Sequence, residues 1–215
     1  MDSPTVWRGR TMQDRAAERR NRLIDAGFDL LGTEGVAGTS VSAVCRNADL
    51  TRNYFYESFA GIDELLRAVQ DRVNDELRAV IETSTSTGNL EHRLKSIFLT
   101  AAQYFEEDPR RVRVTFRETL GNEVLRENAN QGAPAFVLFT MTHFLDLLDG
   151  LSVPAVRSGD TAIAFTQIYG ALAITIMDWL EGRLEATAEQ IARSCTQLVL
   201  AVIDAHGWRT PLSQR

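Results

Sequence analysis

Apolar residues recur along this chain at helical spacing, and no stretch alternates as a strand would. Leu23, Ile24, Phe28, Leu30 and Leu31 give one face to a helix over about Met12–Gly32, closed by the loop glycines Gly35 and Gly38. Leu65, Leu66, Val69, Val73, Leu77, Val80 and Ile81 follow a 3.6-residue period and predict a long helix over 62–83. The Thr-Ser-Thr-Ser-Thr-Gly run at 83–88 breaks it. Further helices are predicted over about 90–106, after Pro109 (with Val112, Val114 and Phe116), 121–129, 134–149, 160–181 and 187–206. No internal repeat is present. The pattern predicts an all-α protein of about nine or ten helices.

Residues 39–66 are the most informative stretch. Ser40 stands at an N-cap position before Val41, Val44, Cys45 and Ala48, which share one face of a short helix. Asp49 falls where a helix-turn-helix must reverse, at a position where one residue often takes positive φ. Asp tolerates that region better than most residues with a side chain. Thr51 then caps a second short helix, which turns Phe55 and Phe59 inward and leaves Thr51, Arg52, Asn53, Tyr54 and Tyr56 outward. Arg and Asn can pair with base edges, while Ser, Thr and Tyr hydroxyls can reach phosphates. The candidate DNA contacts are therefore Ser40, Ser42, Thr51, Arg52, Asn53, Tyr54 and Tyr56. On spacing alone, an ordinary helical hairpin with aromatic packing residues remains open.

The helix predicted over 160–181 has almost no polar face, and a helix apolar all round requires burial all round. Ile168, Leu172, Thr175, Ile176 and Trp179, with Ile191, Cys195, Leu198 and Val202 of the next helix, suit a four-helix bundle shared with a second subunit. A central helix inside a monomer is the alternative.

Composition narrows the classes. Hydrophobic residues make up 44% and charged residues 24%, the balance of a soluble globular protein. No apolar run reaches bilayer length and no signal-peptide core opens the chain, so cytoplasm is the expected compartment and no membrane partner is expected. The net charge of −6 argues against nucleic acid until its distribution is considered. Residues 1–22 hold Arg8, Arg10, Arg15, Arg19, Arg20 and Arg22 against Asp2, Asp14 and Glu18, and the local field governs docking. Residues 1–12 read as a mobile basic arm or a solvated tail. His92, His143 and His206 have no partner at metal-ligand spacing, and no nucleophile elbow, phosphate loop or dinucleotide fingerprint occurs. Neither a metal, a cofactor nor a catalytic function is expected. Cys45 and Cys195 read as small buried apolar residues. Arg110, Arg111, Arg113 and Arg117 read either as an anion site or as a basic face paired with nearby acids.

Residues 22–66 resemble the N-terminal DNA-binding domain of the TetR family of one-component bacterial regulators. The likeness rests on Leu23-Ile24-Asp25-Ala26, Leu30-Leu31, Gly35, Thr39-Ser40-Val41 with Val44, Thr51, Phe55, Tyr56, Phe59 and Asp63-Glu64-Leu65-Leu66, in order and without a gap. Asp49 and Asn53 stand where the family often has Gly, and Ile62 where it usually has a phosphate-touching Lys. The resemblance implies a helix-turn-helix head over 1–60 and a helical regulatory, ligand-binding and dimerisation body over 61–215. It also implies a homodimer on a palindromic double-stranded operator, released by an inducer held in the body. Phe98, Phe105, Phe116, Phe136, Phe139, Thr140, His143, Phe144, Phe165 and Tyr169 are the candidate lining, with Gln103 and Gln167 as further polar handles. Such a lining suits a lipophilic or aromatic small molecule. A constitutive DNA-binding dimer without a ligand is the alternative.

Overall fold

The computed structural model describes residues 12–83, 88–132 and 159–208. The predicted helix over 134–149 and the candidates Phe136, Phe139, Thr140, His143 and Phe144 lie outside the described residues. Among those described, all regular structure is helical. Helix α1 spans Met12–Thr33 and is followed by a 3-10 turn at Val36–Gly38. Helices α2 (Val41–Asn47) and α3 (Arg52–Ser58) complete the head, and α4 runs from Ile62 to Thr83. In the body, α5 spans Leu90–Glu107. The next helix, α6, begins at Arg110–Val112, widens into a π turn at Arg113–Arg117 and ends with Glu118–Gly121. Residues 123–132 form α7, Gly159–Leu180 form α8 and Ala188–Ala205 form α9.

The helical phase read from the sequence matches the buried faces closely. Leu23 and Leu31 of α1, Val44 of α2, Phe55 of α3 and Leu65 and Val69 of α4 are inaccessible to solvent. One contiguous core continues from these residues into Phe105, Val114, Leu125 and Cys195, so the head rests on the body through packed apolar surface. Helix α9 lies along α5 and meets α8. Its start has a capping box: Thr187 Oγ1 accepts from the Gln190 N–H while the Gln190 side chain accepts from the Thr187 N–H.

Three features depart from the sequence reading. The π turn in α6 carries one more residue per turn than an α-helix, a distortion the periodicity does not reveal. Gln70, a polar residue inside the apolar pattern of α4, is buried. Its Nε2 donates to Thr119 Oγ1 at 2.7 Å and its Oε1 accepts from Asn128 Nδ2 at 2.8 Å. Finally, Gly159–Leu180 is long and apolar enough to cross a membrane, contrary to the expectation that no segment is. It is also only partly buried within the chain. Ala164, Ala173, Ile176 and Met177 face the core, while Ile163, Tyr169 and Ile174 are exposed.

Candidate nucleic-acid interface

The recognition unit is assembled from local signals. Gly35 opens the turn before α2 with φ 77°, a conformation that favours glycine, and Thr39 Oγ1 donates to the Gly35 carbonyl at 2.7 Å. Ser40 Oγ accepts from the Ala43 N–H at 3.2 Å and caps α2 as predicted. Helix α2 ends with the Leu50 N–H bonded to the Cys45 carbonyl at 2.9 Å, and Asp49 takes φ 49°. Asp49 is the one positive-φ residue other than glycine among those described. Thr51 has the extended backbone of an N-cap, but its side chain makes no capping bond. Its hydroxyl is exposed.

Phe55 anchors α3, with Phe59 5.7 Å away centroid to centroid. Arg52, Asn53, Tyr54 and Tyr56 stand exposed on the other side. Arg52 Nη2 donates to Ser42 Oγ at 2.7 Å, which ties the first residue of α3 back to α2. The Arg19 guanidinium lies over the Tyr54 ring at 4.5 Å and donates to Glu57 at 3.3 Å, so α1 supports α3 as well. All seven candidate DNA contacts therefore sit in one recognition unit, with two qualifications. Tyr54 lies beneath Arg19, and Ser42 holds Arg52. Ile62 is half-buried against the core, which accounts for an apolar residue at that position.

The body candidates divide differently. Phe105 and Phe116 approach to 5.5 Å and Phe116 and Tyr169 to 6.0 Å, so three of the aromatic candidates form a row. Phe98 packs on the same core. Phe165 stacks instead on Trp208 at 5.9 Å, in a separate small cluster with Ala164 and Ile203. Gln103 and Gln167 are exposed and do not converge with the row. Tyr104, absent from the candidate lining, donates its hydroxyl to the Val73 carbonyl at 3.1 Å and to Glu76 at 3.2 Å. Burial and the neighbouring Glu76 hold that phenol neutral far above its ordinary range. Of the seam candidates, Ile176, Trp179, Ile191 and Cys195 are buried within the single chain, and the Trp179 indole donates to the Ala186 carbonyl. Ile168, Leu172, Thr175, Leu198 and Val202 are half-buried.

The arginines of α6 are paired, as the second of the two readings had it. Arg110 bonds Asp108 and Asp29, each at 2.7 Å, and holds the Asp108 carboxyl below its usual range. Arg111 pairs with Glu107 and Arg117 with Glu181. Arg113 Nε donates to Glu118 at 2.9 Å, and its Nη1 donates to the Thr33 carbonyl at the end of α1. Glu118 also accepts from the Val36 N–H at 2.9 Å. Helix α1 reaches α6 closely because residue 32 is glycine: a Cβ there would lie 2.6 Å from the Arg110 Cβ. These head–body contacts escaped the sequence reading because partners some eighty residues apart leave no periodic trace.

A side-chain-capped α2, a left-handed turn at Asp49 and an α3 that is anchored by Phe55 and presents Arg52 and Asn53 have the form of a helix-turn-helix, packed on helices among the described residues. Residues 23–69 match the family described as bacterial regulatory proteins, tetR family. No curated protein matches. Solved structures share the fold over nearly the whole chain. A putative TetR-family regulator from Mesorhizobium loti MAFF303099 is 17% identical with TM-score 0.63, over 89% of this chain and 98% of that one. FadR from Bacillus subtilis, solved with stearoyl-CoA, is 16% identical with TM-score 0.66, over 85% and 98%. The multidrug binding protein EbrR, solved with imidazole, is 22% identical with TM-score 0.63, over 90% and 96%.

Proposed function

We propose that the chain is a cytoplasmic repressor that binds a palindromic operator as a homodimer and leaves it when a small lipophilic or aromatic inducer enters the body. Residues 1–60 form the DNA-binding unit and 61–215 the regulatory unit. The observation that carries the reading is the adjacent exposed pair Arg52 and Asn53 at the start of α3, on a helix anchored by Phe55. In this reading they meet base edges, while Ser40, Thr51 and Tyr56 hold phosphates.

Dimerisation is supported by α8, where Ile163, Gln167, Gly170 and Ile174 follow one helical stripe with both isoleucines exposed. Gly170 has open space at its Cβ position, which lets a second helix approach. Ligand control is supported by α6. Its π turn holds Phe116, in the aromatic row, and Arg113, bonded to the end of α1. Thr115, between them in sequence, has a buried hydroxyl without a hydrogen-bond partner and is a candidate polar handle. An inducer that displaces Phe116 would move Arg113 and Glu118, and with them the turn before α2. It must bind the DNA-free geometry more tightly, since equal affinity shifts nothing.

The test is to recover duplexes that the purified protein retains from a random pool, then challenge the complex with lipophilic ligands, among them a long-chain acyl-CoA and an aromatic cation. Recovery of a palindrome and its release by one ligand class is expected. Retention of DNA with no ligand binding to the body would leave a constitutive DNA-binding dimer.

A further inference from the structure

Arg22 closes the basic segment 1–22 and lies on α1, where a phosphate contact is the simple expectation. Its geometry says otherwise. Arg22 Nη2 donates to the Ala48 carbonyl at 2.6 Å and reaches the Asp49 carbonyl at 3.4 Å. Ala48 is the C-cap of α2, so the cation sits where the last carbonyls of that helix lack intrahelical donors. The next residue is Asp49, at φ 49°. A residue with a side chain is strained in this region, whereas glycine enters it freely. Three residues further on stands Arg52. The direction of α3, and hence the aim of Arg52 and Asn53, depends on the Asp49 turn.

We propose that Arg22 is a positioning residue of the recognition unit: it clamps the end of α2, holds Asp49 in the left-handed turn, and so aims α3, instead of binding a phosphate. The clamp compensates for the missing glycine. Arg22 also joins α1 to the turn in the way that Ser42 joins α2 to Arg52 and Arg19 joins α1 to Tyr54. The inference rests on the DNA-binding reading for its consequence, but the clamp itself can be read without DNA.

Two measurements on the whole chain test it. Amide exchange at Leu50, whose N–H bonds the Cys45 carbonyl across the turn, reports the clamp directly. Arg22→Ala should speed that exchange about tenfold, and adding Asp49→Gly should restore it. Arg22→Gln, which loses the charge but keeps a donor, should fall between. The second measurement is binding to a duplex selected from a random pool by the unaltered protein, across a salt series. Arg22→Ala should weaken binding with the salt slope unchanged, and Asp49→Gly should recover the loss. A phosphate contact predicts the opposite: a slope smaller by about 0.9, the same loss in Arg22→Gln, and no rescue by glycine. Unchanged Leu50 exchange in Arg22→Ala would overturn the clamp whatever the DNA results.

Discussion

The carboxylate of Glu118 accepts a hydrogen bond from the backbone N–H of Val36, 2.9 Å away and 82 residues earlier in the chain. One residue of the body thereby holds the turn that leads into α2. The same carboxylate takes the Arg113 Nε donor at 2.9 Å, and Arg113 Nη1 in turn donates to the Thr33 carbonyl at the end of α1. Gly35 permits this: a Cβ there would lie 2.6 Å from both the Arg113 guanidinium and Glu118 Oε1. Polar contacts thus join head and body beside the shared apolar core, here and at the Arg110–Asp29 and Arg72–Asp25 pairs.

Replacing Glu118 by Ala should leave the Val36 N–H and the Arg113 guanidinium short of an acceptor. The expected loss is about 1–3 kcal/mol of stability, as for a half-buried charged hydrogen bond. Exchange of the Val36 amide should accelerate while the amides of α5 and α9 stay protected. Uniform acceleration across the body would show that the contact supports the whole fold and not the joint.

Gln70 is the interior polar residue on which α4, α6 and α7 converge, since Asn128 also donates to Asp71 at 2.8 Å. Gln70→Leu should cost about 1–3 kcal/mol, because it takes the donor from the Thr119 hydroxyl oxygen and one acceptor from Asn128, while Thr119 keeps the Val114 carbonyl and Asn128 keeps Asp71. Adding Thr119→Val should recover part of that cost. Urea denaturation of the single and double variants gives the coupling.

Arg52→Ala should cost about 1–3 kcal/mol on the selected duplex and relax preference at one position in each half-site. Tyr56→Phe should weaken binding to all duplexes alike. Equal losses on selected and random DNA for Arg52→Ala would remove its base-reading role. Ser42→Ala should mimic a milder Arg52 defect, because it frees the guanidinium that Ser42 now holds.

The proposed dimer seam is best probed at Ile174 and not at Ile176. Ile176 is 7% exposed and serves the chain's own core, whereas Ile174 is 48% exposed. Ile174→Glu should therefore leave the helical fold intact and abolish association, because a charge buried unpaired in the seam is costly. Light scattering and circular dichroism report the two quantities separately. An unaltered protein that is monomeric at micromolar concentration would remove the seam.

Burial pushes the Cys195 thiol up from its ordinary value near 9 to about 11. The folded protein then favours the neutral thiol. This contribution is complete below pH 9 and is lost as pH rises from about 9 to about 11, where the unfolded chain ionises first. Urea midpoints should fall over that range, and less steeply in Cys195→Ala. Alkylation of Cys195 at pH 8 should be slow unless the protein unfolds.

Helical phase and the helices of the head follow from local sequence alone. Periodicity at Leu65, Leu66, Val69 and Val73, the Ser40 cap and the Phe55 anchor are local properties, settled within one or two turns of chain. For the same reason part of the outward set on α3 was legible: once Phe55 faces inward, Asn53, two residues before it, faces outward, while Arg52, three residues before it, is exposed by its place at the first position of the helix. Tertiary structure decided which surplus apolar residues serve the chain's own core and which stay bare. Helix α8 reads as apolar all round, and only its packing distinguishes buried Ile176 from exposed Ile174. It also decided the role of the charges. Arg22, Arg113 and Glu118 look like surface residues, because their partners are backbone groups and distant side chains that no spacing rule connects. Gln70 breaks an otherwise apolar stripe, and only its neighbours Thr119 and Asn128, brought in by α6 and α7, make its burial affordable.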